Sequence, residues 1–209
     1  MKLFEEAKGA RVLAFGAHPD DIEVGTGGLV ARLAQLGAHV VMAIASVPSQ
    51  IEVRLVEAAE GARSLGARLV VLHDEGQRRV EDIPMHELVR RFDMIVGDVQ
   101  PDLVITHSKD DMHWDHSLVN RAAISALRRT PCDLLAFRSS YEMNAQWRAL
   151  GECFADVTDT MDLKLAAISA HKSQLAKIDL DSTRDVARAM GRICGVRYAE
   201  VFEVLRIRI

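Results

Sequence analysis

Arg11-Val12-Leu13-Ala14-Phe15 runs directly into Gly16-Ala17-His18-Pro19-Asp20-Asp21-Ile22-Glu23, and Gly25-Thr26-Gly27-Gly28 then opens a helical stretch to Leu36. Five mostly apolar residues, a polar turn, and Leu29, Leu33 and Leu36 at helical spacing make a strand–turn–helix unit. The same alternation repeats outward from it. Apolar runs at Val40–Ala45, Arg68–Leu72, Leu103–Thr106 and Leu134–Phe137 alternate with helical patterns at Val53–Leu65, Met85–Val99 and Leu118–Leu127. Strands and helices alternating at this spacing predict an α/β fold: a doubly wound, mostly parallel Rossmann-like sheet with helices on both faces. From Cys153 the pattern becomes a short strand (Phe154–Val157), helices at Met161–Leu175 and Arg184–Cys194, and an alternating stretch, Tyr198–Ile209, that reads as a half-buried edge strand. No linker, repeat or low-complexity segment interrupts the chain, so residues 1–209 read as a single domain.

Composition narrows the function. The chain has 209 residues, 49% apolar and 27% charged, the balance of a globular protein large enough to need no disulfide. Lys plus Arg number 26 against 30 Asp plus Glu, a net charge of −4, so no global basic field points to nucleic acid. No apolar run approaches the ~20 residues of a membrane helix. The first residues, Met1-Lys2-Leu3-Phe4-Glu5-Glu6, carry acids where a signal peptide has its apolar stretch. Three widely spaced cysteines, Cys132, Cys153 and Cys194, fit neither a disulfide framework nor a thiolate zinc site, and read as small buried hydrophobes in a reducing compartment. These features together predict a cytoplasmic protein.

In such sheets ligands sit beyond the carboxyl ends of the strands. Two polar clusters fall there. In the first, His18 and Asp21 are three apart, close enough to converge on one small cation, with Asp20 beside them. The plainer reading makes Asp20 and Asp21 helix N-terminal acids and His18 a loop histidine. The glycines that follow match no nucleotide fingerprint and serve close approach of the backbone. The second cluster, His107-Ser108-Lys109-Asp110-Asp111-Met112-His113-Trp114-Asp115-His116, holds three histidines and three aspartates besides Asp110's neighbour Lys109. No apolar core calls for that composition, and burying it unpaired is costly. One of His113 and His116 can ligate a metal while the other faces substrate. Asp111 or Asp115 can accept the second ring N–H of a histidine and fix its tautomer.

Ala17-His18-Pro19-Asp20-Asp21 through Gly28, taken with His113-Trp114-Asp115-His116, resembles the LmbE-like or PIG-L family of zinc-dependent N-deacetylases. Arg54 and Glu57, Ala170-His171-Lys172-Ser173-Gln174, and Tyr198-Ala199-Glu200-Val201-Phe202 resemble its later patterns. The resemblance implies His18, Asp21 and His116 as ligands of a Zn²⁺ cofactor and Asp20 as general base. It implies His113 at the oxyanion, with Asp111 or Asp115 orienting it. Trp114 stands where the family usually has proline, and Ser46-Val47-Pro48-Ser49-Gln50 lacks the usual Thr/Gly-rich sequence. Arg54, Trp114 and His171 are candidate substrate contacts, and Tyr141-Glu142-Met143-Asn144 a candidate pocket rim. The implied reaction is hydrolysis of an N-acetyl amide on an N-acetylglucosamine-type sugar or conjugate. A deacylase of a non-sugar amide and a metal-containing binding protein without turnover are the alternatives. The implied partners are a small N-acetylated molecule and further copies of the chain in a trimer or hexamer.

Overall fold

The computed structural model of the protein describes residues 7–73, 76–138 and 153–208. Tyr141-Glu142-Met143-Asn144, the candidate pocket rim, lies outside these. Seven strands form the sheet: β1 (Arg11–Gly16), β2 (His39–Ser46), β3 (Arg68–His73), β4 (Leu103–His107), β5 (Asp133–Phe137), β6 (Cys153–Asp156) and β7 (Ala199–Arg206). Their order is β3-β2-β1-β4-β5-β7-β6. The first five pair in parallel, while β7 is antiparallel to both β5 and β6.

Six helices cover the sheet: α1 (Asp21–Gln35), α2 (Ile51–Ser64), α3 (Met85–Val99), α4 (Trp114–Ala126), α5 (Met161–Ser169) and α6 (Leu180–Cys194). Alternation along β1 decides the layers. Val12 and Ala14 pack on one face against Ile22, Leu29 and Leu33 of α1, Ala58 and Ala62 of α2, and Leu165 of α5. Leu13 and Phe15 pack on the other against Leu88 and Phe92 of α3 and Val119, Ala122 and Ala123 of α4. Phe15 and Phe92 stack with ring centroids 4.3 Å apart. Both faces are therefore apolar, as buried parallel strands require.

Several boundaries differ from the sequence reading. Helix α1 begins at Asp21 rather than Gly28, and it bends at Thr26, whose φ of −147° is not helical. A Cβ on Gly25 would collide with the Phe137 ring, and one on Gly28 would lie 2.7 Å from Cβ of Val157. The glycines thus let α1 lie against β5 and the segment after β6, which is the close approach read from the sequence. The amides freed by the bend, Gly28 N–H and Leu29 N–H, donate to Glu200 Oε1 and Oε2 at 2.9 and 2.8 Å. Lys164 Nζ meets Glu200 Oε1 at 2.6 Å. Helix α4 starts at Trp114, α5 stops at Ser169 and α6 starts at Leu180, where Asp179 caps it by accepting from Asp181 N–H and Ser182 N–H. Strand β7 is not an edge. It lies between β5 and β6, and its cover is incomplete, with Val201, Glu203 and Val204 only half-buried. Of the cysteines, Cys132 is buried but Cys194 is exposed.

Candidate metal centre

The order β2-β1-β4 places the reversal of strand sequence between β1 and β4, and both polar clusters follow these two neighbouring strands. This is the switch point at which open α/β sheets bind ligands. The first cluster turns sharply. Asp20 adopts φ 97° and ψ −29°, a left-handed conformation that a residue with a Cβ holds at a cost of ~1–2 kcal/mol. Asp20 stands at the N-cap of α1 and Asp21 in its first turn, as the plainer reading has them, but the Asp20 carboxylate makes no capping hydrogen bond to the helix. Arg54 of α2 holds the turn from behind. Its Nη2 donates to the Pro19 carbonyl at 3.0 Å and lies 3.7 Å from Asp20 Oδ2. Burial, reinforced by the neighbouring Asp21 carboxylate, pushes the Asp20 carboxyl up to about 7, with Arg54 and His171 opposing the rise.

Asp21 is the hub. Its Oδ2 accepts Ala17 N–H at 2.9 Å and His18 N–H at 2.7 Å. His116 Nε2 lies 3.4 Å from Asp21 Oδ1, and His18 Nδ1 lies 3.6 Å from Oδ2. Burial alone would raise the Asp21 carboxyl, yet His116 and His107 hold it well below the usual carboxylate range. The outer aspartates serve the candidate ligands. His18 Nε2–H donates to Asp115 Oδ2 at 2.9 Å, and His116 Nδ1 stands 2.9 Å from Asp111 Oδ2. Each contact leaves the opposite ring nitrogen toward Asp21. Asp111 and Asp115 therefore orient His116 and His18, not the His113 ring to which the resemblance attached them.

His113 caps α4, its Nδ1 accepting Asp115 N–H at 3.3 Å, and its ring stacks on His116 at 4.5 Å. The accepting role of Nδ1 places the proton of the neutral ring on Nε2. Burial, then the neighbouring His116 and His18, lower the His113 pKa. His18 and His116 lie with ring centroids 5.9 Å apart. Two three-residue groups bring ligand atoms within 4.8 Å of one another: His18, His113 and His116, and Asp21, His107 and His116.

The donor set fits a divalent cation. Asp20, Asp21, Asp111 and Asp115 surround the cluster, and the Arg54 guanidinium lies against Asp20. Burial would depress His116, but the carboxylates of Asp21 and Asp111 drive it up to about 10. Carboxylates this crowded hold positive charge at their centre, and imidazole nitrogen with carboxylate oxygen is the donor chemistry of zinc.

The remaining candidates part company. Trp114 is 56% exposed beside His113. Arg54 is buried against the turn, held by the contacts above. Glu57, on the same helix, accepts Ser173 N–H and Oγ–H at 2.8 and 2.6 Å. His171 packs inward beside the first cluster, near enough to Asp20 to oppose the rise of its carboxyl. It follows α5 rather than lying on it, is fully buried, and its Nε2 meets Glu23 Oε1 at 3.0 Å. The sequence reading gave no role to His107, which is fully buried and stacks on His116 at 3.9 Å. Its place at the end of the buried β4 run was the available signal.

Comparison with known proteins converges on the same family. Residues 13–127 match PIG-L, the GlcNAc-PI de-N-acetylases. An uncharacterized deacetylase of Escherichia coli K12, YaiS, is 29% identical over 173 residues, covering 78% of this chain and 90% of its own length. The N,N'-diacetylchitobiose deacetylase of Pyrococcus horikoshii superposes with a TM-score of 0.76 at 22% identity, covering 98% of this chain and 86% of that one. A 4-carboxy-2-hydroxymuconate hydratase from Pseudomonas putida superposes equally well, TM-score 0.76 at 23% identity over 97% and 98% of the two chains. Likeness at that level carries the fold and not the reaction. The family match spans more than half of the sequence and both clusters, and this chain belongs to the PIG-L family of de-N-acetylases.

Proposed function

We propose that the protein is a zinc-dependent hydrolase that cleaves the N-acetyl amide of an N-acetylglucosamine-type sugar or conjugate to acetate and a free amine. The observation that supports the reading is that Asp21 lies between the two histidines, with His18 Nδ1 3.6 Å from Oδ2 and His116 Nε2 3.4 Å from Oδ1, and with Asp20 beside it on a left-handed turn. His18, Asp21 and His116 would hold the ion. Zinc bound there supplies a Lewis acid that polarises the amide carbonyl and acidifies water.

The chain's own groups do the rest. Asp20, its carboxyl near neutrality, accepts the proton of the attacking water and delivers it to the leaving amine. His113 donates Nε2–H to the developing oxyanion, a role that needs no second proton on the ring. Arg54 keeps the Asp20 carboxylate in place through the Pro19 carbonyl and stands close enough to the turn to meet a substrate hydroxyl. Trp114 offers an exposed ring face against which a sugar packs. The sugar class comes from the relatives: the P. horikoshii protein is named for diacetylchitobiose. A homo-oligomer in the cytoplasm belongs to the same reading, and sedimentation velocity checks the assembly.

The test is acetate release by zinc-loaded protein from a panel of N-acetyl sugars and non-sugar N-acetyl amides. Turnover of the sugars supports the proposal. Turnover confined to non-sugar amides overturns the substrate class, and absence of turnover overturns the reaction.

A further inference from the structure

Asp21 has two carboxylate oxygens, and they face different surroundings. Oδ2 receives Ala17 N–H at 2.9 Å and His18 N–H at 2.7 Å, and His107 Nε2 lies 3.3 Å away. Oδ1 faces His116 Nε2 at 3.4 Å. Something must keep these two oxygens from exchanging places, since a carboxylate with one flexible torsion can present either. The two backbone amides belong to the turn itself and move with it. His107 belongs to a different strand.

That strand is rigid. Its side chain is wholly buried, stacked on His116 with ring centroids 3.9 Å apart and 17° between planes, and backed by Phe137 at 4.6 Å. Its carbonyl accepts from Asn120 Nδ2 of α4 at 2.7 Å, and its Cα pairs with Phe137 in the β4–β5 register. Ala17 N–H is shared between two acceptors, His107 Nε2 at 3.1 Å and Asp21 Oδ2 at 2.9 Å, and the charged Oδ2 is the nearer and stronger. In the tautomer that carries its proton on Nε2, the His107 ring gives up that weaker contact and donates to the same oxygen, 3.3 Å away.

We propose that His107 is a positioning residue: its Nε2–H pins Asp21 Oδ2, so that Oδ1 alone is presented to the metal, while its ring fixes the plane of His116. The inference rests on the metal-centre reading above and extends it. His107 is then no ligand, although its nitrogen lies within reach of Asp21 and His116. Its consequence is a one-oxygen attachment of Asp21 and a fixed angle between that oxygen and the His116 nitrogen.

The test uses two substitutions that separate the ring from its N–H. His107→Phe keeps the stack between His116 and Phe137 and removes the donor; His107→Gln restores an amide N–H near the Nε2 position. Zinc affinity is measured by equilibrium dialysis against a competing chelator, beside thermal melts of the zinc-free proteins. The expected result is an affinity loss of about 10–100-fold for His107→Phe, as for other groups that orient metal ligands, and recovery of most of it by His107→Gln. A merely structural histidine would lower both melting temperatures without separating the two affinities. If His107→Phe fails to fold, His107→Asn, whose amide is too short to reach Oδ2, takes its place. Wild-type affinity in the donor-free variant overturns the proposal, as does equal loss in both variants. Binding of two ions by the wild type, one of them lost with His107, makes it a ligand and also overturns it. Wild-type protein that binds zinc but cleaves no N-acetyl amide defeats the proposed function and leaves this inference standing on the affinities. Wild-type protein that binds no zinc defeats both.

Discussion

Helix α1 carries two buried charge clusters, about two turns apart in sequence, and they are built on opposite principles. At the bend, Glu200 meets Lys164 and two backbone amides, Gly28 N–H and Leu29 N–H. Charge and hydrogen bonding close within the protein. At the start of the helix, Asp20 and Asp21 crowd with Asp111 and Asp115 around histidines, and His107 Nδ1 finds no hydrogen-bond partner among the described residues. There the protein leaves negative charge for something else to balance. The difference separates a structural ion pair from a functional one without reference to any relative. A cluster whose charges pair within the protein serves the fold, and one crowded with carboxylates and imidazoles is the candidate for binding a cation.

The comparison is broken most severely by changing the base. Asp20→Asn should lower kcat for acetate release by about 10²–10⁴-fold while zinc affinity stays near wild type. Asparagine tolerates left-handed backbone, so the melting temperature should hold or rise. A variant that keeps wild-type kcat removes Asp20 from the chemistry. The closed cluster should answer in the opposite currency. Glu200→Gln leaves Lys164 buried without its carboxylate, a loss of about 3–5 kcal/mol. At about 2–4 °C per kcal/mol for a chain this size, the melting temperature should fall on the order of 10 °C. Saturating zinc should still raise the melting point of that variant, and should fail to raise that of His116→Ala. A zinc increment in His116→Ala equal to that of the wild type would contradict the ligand assignment.

The smallest effect belongs to a control at the other end of the sheet. Arg11 N–H and its guanidinium both donate to Asp102. Burial tends to raise the Asp102 carboxyl, but its hydrogen bonds from Arg11 hold it below the usual value. A depressed carboxylate contributes stability above its unfolded pKa and loses it as pH falls through its folded one. The pair is partly solvent-exposed, so Asp102→Asn should cost about 1 kcal/mol or less near neutral pH. That difference should shrink as pH is taken below about 4, and kcat should not change. Thermal melts across pH, with parallel acetate assays, check both halves.

Much of this contrast was legible in the residues. The alternation of apolar runs and helical patterns led to the parallel sheet, and the placement of His18, Asp21 and His116 beyond neighbouring strands followed from it. The misreadings share a cause: a local pattern reports burial, not the neighbour that supplies it. Gly25 to Gly28 looked like the opening of α1 because glycine disfavours helix, yet they sit inside it, where Phe137 and Val157 leave no room for a side chain. The alternation in β7 looked like an edge, though β6 pairs outside it. The inward contacts of Arg54 with the Pro19 carbonyl and of His171 with Glu23 were hidden for the same reason, the partners being 35 and 148 residues away in sequence. His107 was hidden for the opposite reason. It ends an apolar run and packs like its neighbours, and only its contacts with Asp21 and His116 give it a part in the site.

A crystal structure of the zinc-loaded protein with anomalous data at the zinc edge tests the account at its centre. The proposed metal centre predicts one anomalous peak bonded to nitrogens of His18 and His116 and to Asp21 Oδ1, with a remaining position open toward Asp20 and His113. A peak bonded to His107 in place of His18, or to a site away from Asp21 altogether, would contradict it.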